Sequence, residues 1–186
     1  MRRPLKLLLA TLFTSAALLT FFHWQYEQYS LRLIAEQKMH DEKANGLKHA
    51  VAAAEVYRVV AMITGDAKAE KAVLMLGKWN EYIEQTVRRR NLDTPAELFK
   101  DMANNQIGIT TAQWQQRTHP QGDIRQTLVS LAQEGGVIPS SQAVTLPAAI
   151  AATKSYAAIE EVYRFFEQEQ SRIITQTVEK LEKSKP

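Results

Sequence analysis

The longest apolar run of the chain lies near its N-terminal end, at residues 5–22, and carries one charge, Lys6, at its edge. As a helix the run is about 27 Å long, close to the ~30 Å hydrocarbon core of a bilayer. The pattern therefore predicts a single transmembrane helix. Its large apolar side chains, with the aromatic residue that follows, are Leu7, Leu12, Phe13, Leu18, Leu19, Phe21, Phe22 and Trp24.

Basic residues precede this segment, which predicts its orientation. Arg2, Arg3 and Lys6 come before any acidic residue, and aromatic residues follow the segment at positions typical of a membrane interface. The positive-inside rule then leaves residues 1–4 as a cytoplasmic stub and places the rest of the chain outside the cytoplasm. In a bacterium with two membranes, the protein would be a single-pass protein of the inner membrane with a periplasmic body.

A cleavable secretory signal is the alternative reading of the same segment, with Ser15-Ala16-Ala17 as the cleavage site. Cleavage there would leave a mature protein that begins with the apolar residues LLTFF. Because exposing such an end to water has no evident purpose, we favour an uncleaved signal anchor at residues 5–22.

The pattern beyond the anchor is helical. Residues 23–46 are predicted to form a helical stalk, with Asn45-Gly46 as the plausible break, because glycine costs about 1 kcal/mol in a helix interior. An extracytoplasmic helical domain then covers residues 47–186. In its first helix, up to Ile63, one face is formed by Leu47, Ala50, Ala54, Tyr57 and Ala61.

Several local signals divide the domain. Thr64-Gly65-Asp66 ends one helix and caps the next, which is predicted to run to about Arg90. Thr94-Pro95-Ala96-Glu97 is a complete capping box with proline at the first helical position. We expect a buried stripe in the helix that starts at Asp66, formed by Val73, Leu76, Ile83 and Val87.

The second half of the domain has weaker signals. Helix starts are predicted at Thr110 and Asp123, with a turn at residues 119–122 between them. Residues 107–111 are a weak strand candidate, the only one in the chain. Gly135-Gly136 stops a helix, residues 137–145 are predicted to be a loop, and a last long helix runs from about Leu146-Pro147 to Lys183. The predicted fold class is all-α, a bundle of long and short helices.

The last helix carries a heptad-like apolar seam, which we predict to be an interaction surface. The seam positions are spaced alternately three and four residues apart and comprise Ala149, Ala152, Tyr156, Ile159, Tyr163, Phe166, Gln170 and Ile173. A second apolar stripe is formed by Val162, Phe165, Ile174, Val178 and Leu181. Packing inside one bundle consumes one apolar face, so the second is available to another chain.

Composition agrees with helix and limits the partners. The chain has 24 alanines and 15 glutamines but only 7 glycines and 6 prolines. Its net charge of +3 comes from the three basic residues at the N-terminus, so residues 23–186 hold 20 basic and 20 acidic groups. A neutral body gives no electrostatic reason to bind nucleic acid. The absence of cysteine is compatible with an oxidising compartment.

Candidate binding residues are few, and each has a structural explanation. Glu36 and His40 share a helix face and suggest a divalent-metal site, but a solvated stalk accounts for them better. Arg88, Arg89 and Arg90 form a weak candidate for an anion or a lipid headgroup. As cations at the end of a predicted helix they also complement its dipole. Three aromatic residues suggest a small-molecule pocket between helices, but positions in the core explain them better: Trp79, Tyr82 and Trp114.

No sequence motif indicates catalysis. Glu160 and Glu161 are adjacent, so on a helix they point about 100° apart and do not share a substrate easily. Motifs for zinc peptidases, phosphate-binding loops, nucleophile elbows and dinucleotide binding are all missing from the chain. We therefore expect a non-enzymatic protein without a cofactor or metal.

The layout predicts an accessory or scaffold subunit of a cell-envelope assembly, of a secretion, pilus, conjugation or division type. Its partners would be the membrane and either other envelope proteins or a second copy of itself. One alternative is an extracytoplasmic ligand-sensing bundle that signals through a partner subunit, since the chain has no second membrane segment. Another is a phage-type lysis protein of the inner membrane, although the expected proline-rich tail is missing.

Overall fold

The computed structural model describes residues 39–87, 94–153 and 157–184, together with Gln28 and Arg32. Every regular element in these ranges is a helix, which confirms the predicted all-α class. The elements are α1 (Asp41–Thr64), α2 (Asp66–Val87), α3 (Pro95–Thr118), α4 (Ile124–Gln133), a 3-10 turn (Ser141–Ala143), α5 (Ala148–Ala151) and α6 (Ala157–Lys183).

Helix α3 is the centre of the bundle. It packs most extensively against α1 and α6, while α2 and α4 cover further parts of its surface. As a result, 17 of its 24 residues are buried. The fully buried side chains of largest volume come from α1, α3, α4 and α6, which shows that all four helices share one core: Tyr57, Phe166, Leu47, Leu98, Ile109, Leu128, Leu131 and Ile159.

The local signals at helix ends are confirmed. Gly65, at φ 80, separates α1 from α2 in a conformation that favours glycine. The capping box of α3 is complete, because the Thr94 hydroxyl accepts a hydrogen bond from the Glu97 amide and the Glu97 carboxylate accepts one from the Thr94 amide. At α4 the Asp123 carboxylate caps the Arg125 amide at 2.8 Å.

The predicted break at Asn45-Gly46 is wrong. Helix α1 starts at Asp41 and passes through both residues. Gly46 is buried, and a Cβ atom there would lie 2.7 Å from the carbonyl oxygen of Ile138. This glycine therefore allows the loop after α4 to approach the helix closely. The predicted apolar face of α1 is confirmed at Leu47, Ala50, Ala54 and Tyr57, which are all fully buried.

Two other local predictions are wrong because the segment concerned is buried inside the bundle. The helix start predicted at Thr110 and the weak strand at residues 107–111 both lie inside α3, which continues to Thr118. Burial between neighbouring helices outweighs the weak local preferences of threonine and isoleucine there. The predicted turn at residues 119–122 does follow α3.

The last helix and the stripe of α2 also differ from the prediction. Helix α5 ends at Ala151 and α6 begins at Ala157, so residues 146–183 do not form one helix. In α2 only Val73 of the predicted buried stripe is in the core, whereas Leu76 and Ile83 are about half exposed. The side chain of Val87 lies outside the described set.

No helix in the described ranges is long and apolar enough to span a bilayer. The predicted anchor at residues 5–22, its orientation residues Arg2, Arg3 and Lys6, and residues 33–38 of the predicted stalk lie outside the described residues. The membrane anchor therefore remains a prediction from the sequence.

Candidate functional site

Helix α3 carries many polar side chains into the interior of the bundle. Burying such groups costs free energy unless they find partners, so their contacts indicate what the interior is built to hold. The buried polar residues of α3 are Lys100, Asp101, Asn104, Asn105, Gln106, Thr110, Thr111 and Gln115.

One amide fastens a loop to the core. The Asn104 Nδ2 atom donates to the Ile138 carbonyl oxygen at 3.0 Å, and the Ile138 amide donates to Asn104 Oδ1 at 2.9 Å. A side chain at Gly46 would collide with both partners. Asn104 therefore has a structural role, holding the segment after α4 against α1 and α3.

A second set of amides surrounds the carboxylate of Glu70 on α2. Gln106 on α3 donates to Glu70 Oε1 at 3.0 Å, and Gln170 on α6 donates to the same oxygen at 3.1 Å. Gln113 donates to Glu70 Oε2 at 3.2 Å. The polar position of the predicted seam, Gln170, thus belongs to a network that joins α2, α3 and α6 within the chain.

A third polar set contains an imidazole and buried charges. His49 Nε2 on α1 and Lys100 Nζ on α3 each lie 3.5 Å from Asp101 Oδ1. No described residue donates a hydrogen bond to this buried oxygen. On α2, Glu81 is only 2% exposed. It lies one helical turn after Gly77, where a Cβ atom would be 2.7 Å from Asn105 Nδ2.

We name His49, Lys100 and Asp101 the polar cluster, because one oxygen of the Asp101 carboxylate lies 3.5 Å from both the imidazole on α1 and the Lys100 ammonium group on α3. A histidine next to a carboxylate is suited to proton transfer, and the same contact also stabilises a helix pair. Among the described residues no three His, Cys, Asp or Glu side chains are placed to hold a metal ion. For the predicted site at the stalk, His40 is exposed and Glu36 lies outside the described residues.

Sequence reasoning did not identify the polar cluster. His49 lies far from Lys100 and Asp101 along the chain, and the sequence gives no direct signal that α1 and α3 come into contact. One signal was present in the run Asn104-Asn105-Gln106, because two asparagines in a helix interior are poor helix formers. Such residues in a buried helix indicate side-chain hydrogen bonds to neighbouring elements.

The predicted interaction seam packs into the chain's own core. Ile159, Phe166 and Ile173 are buried, and the Phe166 ring lies 6.4 Å from that of Phe99 on α3. Tyr163 is half-buried and has Lys78 Nζ 4.3 Å above its ring. These residues therefore do not form an exposed docking surface, since the bundle itself covers them. Tyr156 lies outside the described residues.

The second stripe of the last helix is also largely covered. Val162 and Leu181 are buried, and Phe165 and Val178 are partly buried against the core. The Phe165 ring lies 5.5 Å from that of Phe99. Both apolar faces of α6 are thus largely covered by the chain itself. The expectation that one of them is available to another chain is not met.

Contacts between α2 and α6 involve the glutamates singled out in the sequence. Glu160 accepts hydrogen bonds from Tyr82 at 2.5 Å and from Lys78 at 2.9 Å. The hydrogen bond from Tyr82, followed by that from Lys78, lowers the pKa of Glu160. The same bond to Glu160 raises the pKa of Tyr82. Glu161 instead pairs with Arg164 at 3.2 Å. The two adjacent glutamates thus have different partners and do not share a site, as predicted.

The three aromatic residues that the sequence assigns to the core rather than to a pocket lie in different environments. Trp79 is 60% exposed on α2, while Trp114 is buried on α3. Trp114 donates to Glu182 at 2.6 Å and packs against the His119 ring at 5.6 Å. Tyr82 neighbours Trp79, with ring centroids 6.2 Å apart. Only Trp114 is a core residue as the sequence reading favoured.

The described residues form two exposed apolar surfaces. The first, which we name the α2 stripe, consists of Met75, Leu76, Trp79 and Ile83, all exposed by half or more. The second, the corner groove, has a volume of about 650 Å³ and lies between the second half of α1 and the start of α4. Its lining residues are Glu55, Val56, Arg58, Val59, Val60, Met62, Asp123, Ile124 and Arg125.

The remaining predicted site, Arg88–Arg90, lies outside the described residues. Comparison of the chain with known proteins finds no matching family model, no matching curated protein and no matching solved structure. The function must therefore be argued from the residues and surfaces described above.

Proposed function

We propose that the chain is a single-pass, membrane-tethered protein whose helical body acts outside the cytoplasm as a non-catalytic subunit of a cell-envelope assembly. The apolar run at residues 5–22 with Arg2, Arg3 and Lys6 before it supports the tether and its orientation. The corner groove is the observation that carries the interaction part of the proposal. The all-helical fold is compatible with it but does not discriminate between functions.

The corner groove has the character of a protein docking site. Met62, one of its lining residues, is 80% exposed near the end of α1, and Val59 is 59% exposed one turn earlier. Exposed large apolar side chains of this kind, next to each other, mark interaction surfaces. The groove is rimmed by charges of both signs, with Arg125 Nε 2.6 Å from Glu55 Oε1. An apolar centre with a mixed polar rim is typical of protein interfaces, and an amphipathic helix of a partner would fill it.

The tether is tested by a fusion of alkaline phosphatase after Pro186. We expect the fusion to be active and the protein to stay in the membrane during a carbonate wash. An inactive fusion would reverse the orientation, and release into the wash would support the cleaved-signal alternative.

The docking surface is tested by site-specific photocrosslinking in cells. A photoreactive residue at Met62 should give a discrete crosslinked product that is absent when the same residue replaces Thr175, an exposed position on α6. Val59→Glu should abolish the product while leaving the helical spectrum and melting temperature nearly unchanged, since this side chain of the groove is 59% exposed. Equal products from positions 62 and 175 would contradict the proposal.

A cavity supports ligand sensing as the second candidate function. It has a volume of about 360 Å³ and lies between α6 and the segment after α4, with Phe99, Phe165 and Ile173 among its apolar walls. Arg172 and Lys180 lie at the same cavity, so a small amphipathic carboxylate is the ligand class that it fits. A rise in melting temperature with such ligands, lost in Arg172→Gln, would favour sensing over scaffolding.

A further inference from the structure

Helix α2 separates its apolar and basic residues from its acidic residues. The exposed positions from Ala67 to Ile83 hold no carboxylate. They comprise Ala67, Asn80 and six further residues, which are Lys68, Lys71 and the four members of the α2 stripe. At 100° per residue these six side chains fall within an arc of about 140° on one face of the helix. The outward face is therefore both apolar and basic over about 22 Å of its length.

Two acidic side chains of the same helix, Glu70 and Glu81, are directed inward. Glu70 accepts hydrogen bonds from Gln106, Gln113 and Gln170, and Glu81 is 2% exposed. The third lysine, Lys78, also points inward, since it pairs with Glu160 on α6. Among the side chains of α2 that the structure describes, the one exposed acid is Asp66 at the start of the helix, and the side chain of Glu84 lies outside the described set. Because the inner face is already occupied by these contacts, the outer face is available to a partner.

We propose that the outer face of α2 lies on a lipid surface with anionic headgroups. A helix with Trp and aliphatic residues on one face and lysines beside them is the type that lies in a membrane interface. Tryptophan favours that interface, and each lysine near an anionic surface adds attraction. In the sequence, α2 is followed by Arg88, Arg89 and Arg90, which adds basic charge to this part of the chain.

A second copy of the chain fits this face less well. If two α2 stripes packed together, Lys68 and Lys71 of one copy would need acidic residues from the other. The exposed positions from Ala67 to Ile83 offer none. The corner groove differs in this respect, since Glu55 and Asp123 lie at its edge. The distribution of charge therefore assigns the groove to a protein and the α2 face to lipid.

The inference rests on the proposed tether, which would hold the body next to a bilayer. It adds a second, reversible contact between the folded domain and the membrane. Four apolar side chains and two lysines give a weak contact on their own, as in peripheral proteins that need two signals for stable binding. The orientation of the body, and of its corner groove, relative to the membrane would then be defined.

The absence of cysteine makes the depth of single positions measurable. Full-length Met75→Cys, Ile83→Cys and Thr175→Cys, each carrying a nitroxide, are reconstituted in vesicles of seven parts phosphatidylcholine to three parts phosphatidylglycerol. We expect labels at 75 and 83 to be more accessible to oxygen than to a water-soluble nickel chelate. The label at 175 should show the reverse. Lys68→Gln with Lys71→Gln should weaken the immersed state by roughly fivefold per lysine.

Three results would overturn the inference. Labels at 75 and 83 that are as accessible to the nickel chelate as the label at 175 would place α2 in water. Dipolar broadening between labels at 83 in separate copies would show a dimer instead. The third result arises if carbonate releases the chain, which means that the tether has failed, and the labelled protein is then added to preformed vesicles. Labels at 75 and 83 that stay in water in that experiment would refute the lipid contact. Labels that become immersed would show that the lipid contact forms without the tether.

Discussion

At the scale of single residues, the adjacent rings of Phe165 and Phe166 test how α6 is covered. Phe166 is fully buried, whereas Phe165 is only partly buried and lines the cavity beside α6. A carboxylate at position 166 would be buried without a partner, which costs several kcal/mol and is comparable with the stability of a domain. We therefore expect Phe166→Glu to unfold the body.

Phe165→Glu is the matched control, because its new carboxylate can reach the water-accessible cavity. We expect this variant to stay helical with a lowered melting temperature. Far-UV circular dichroism with thermal unfolding measures both effects. Two variants of equal stability would contradict the burial described here.

Tyr57 gives a residue-scale prediction about alkaline pH. Burial, with smaller contributions from Asp66 and Glu70, raises the pKa of this tyrosine to about 12. Since the unfolded chain ionises near pH 10, the protein should lose up to about 3 kcal/mol of stability as the pH rises through this interval. Below pH 10 the stabilisation is fully present.

Tyr57→Phe keeps the ring and removes the ionisable group, so it should lose less stability between pH 9 and pH 12, by roughly that amount. Urea unfolding of both proteins at the two pH values isolates the contribution, because lysines and other tyrosines titrate in both. An equal loss in the two proteins would show that Tyr57 ionises normally in the folded state.

At the scale of elements, the close approach of α1 and α3 depends on a glycine. A Cβ atom at Gly108 would lie 1.9 Å from the Ala50 carbonyl oxygen, which belongs to the backbone of α1 and cannot rotate away. We expect Gly108→Ala to separate the two helices and to destabilise the protein by about 3 kcal/mol or more. Chemical unfolding gives the value.

Gly65→Ala is the comparison for this prediction. Nothing lies within 4 Å of a Cβ atom at Gly65, but its φ of 80 is unfavourable for alanine. With ψ at 161 the conformation is nearly restricted to glycine, so the cost should be about 2 kcal/mol, from backbone strain alone. A larger loss at position 65 than at position 108 would mean that the helix contact is not a tight one.

The sequence predicted the elements best where their signals are local. The capping box at Thr94, the cap at Asp123 and the break at Gly65 depend on residues within one turn, so they could be read directly. Gly46 was misread as a break, because its role is to admit the Ile138 carbonyl from a distant loop. A glycine that ends a helix and one that receives a neighbour have the same sequence signature.

At the scale of the whole molecule, the apolar pattern indicated which helices have a core face but not how they assemble. The seam of α6 and the second stripe were both recognised, yet whether a partner or the same chain covers them depends on the position of α3. The polar cluster was missed because His49 and Asp101 belong to two different helices. Leu76, Trp79 and Ile83 of the α2 stripe were assigned to the core, since periodicity does not distinguish an inner face from an outer one.

The central position of α3 has a consequence for the order of synthesis. As the chain emerges from the N-terminus, α3 is complete before Ala157, the first residue of α6, has been made. During that interval the side of α3 that later meets Phe166, including Phe99, has no cover. We therefore expect a chain that stops at Thr153 to bind a hydrophobic dye and to lose cooperative unfolding. We therefore expect the unfinished chain to aggregate more readily than the complete one until its last helix is made.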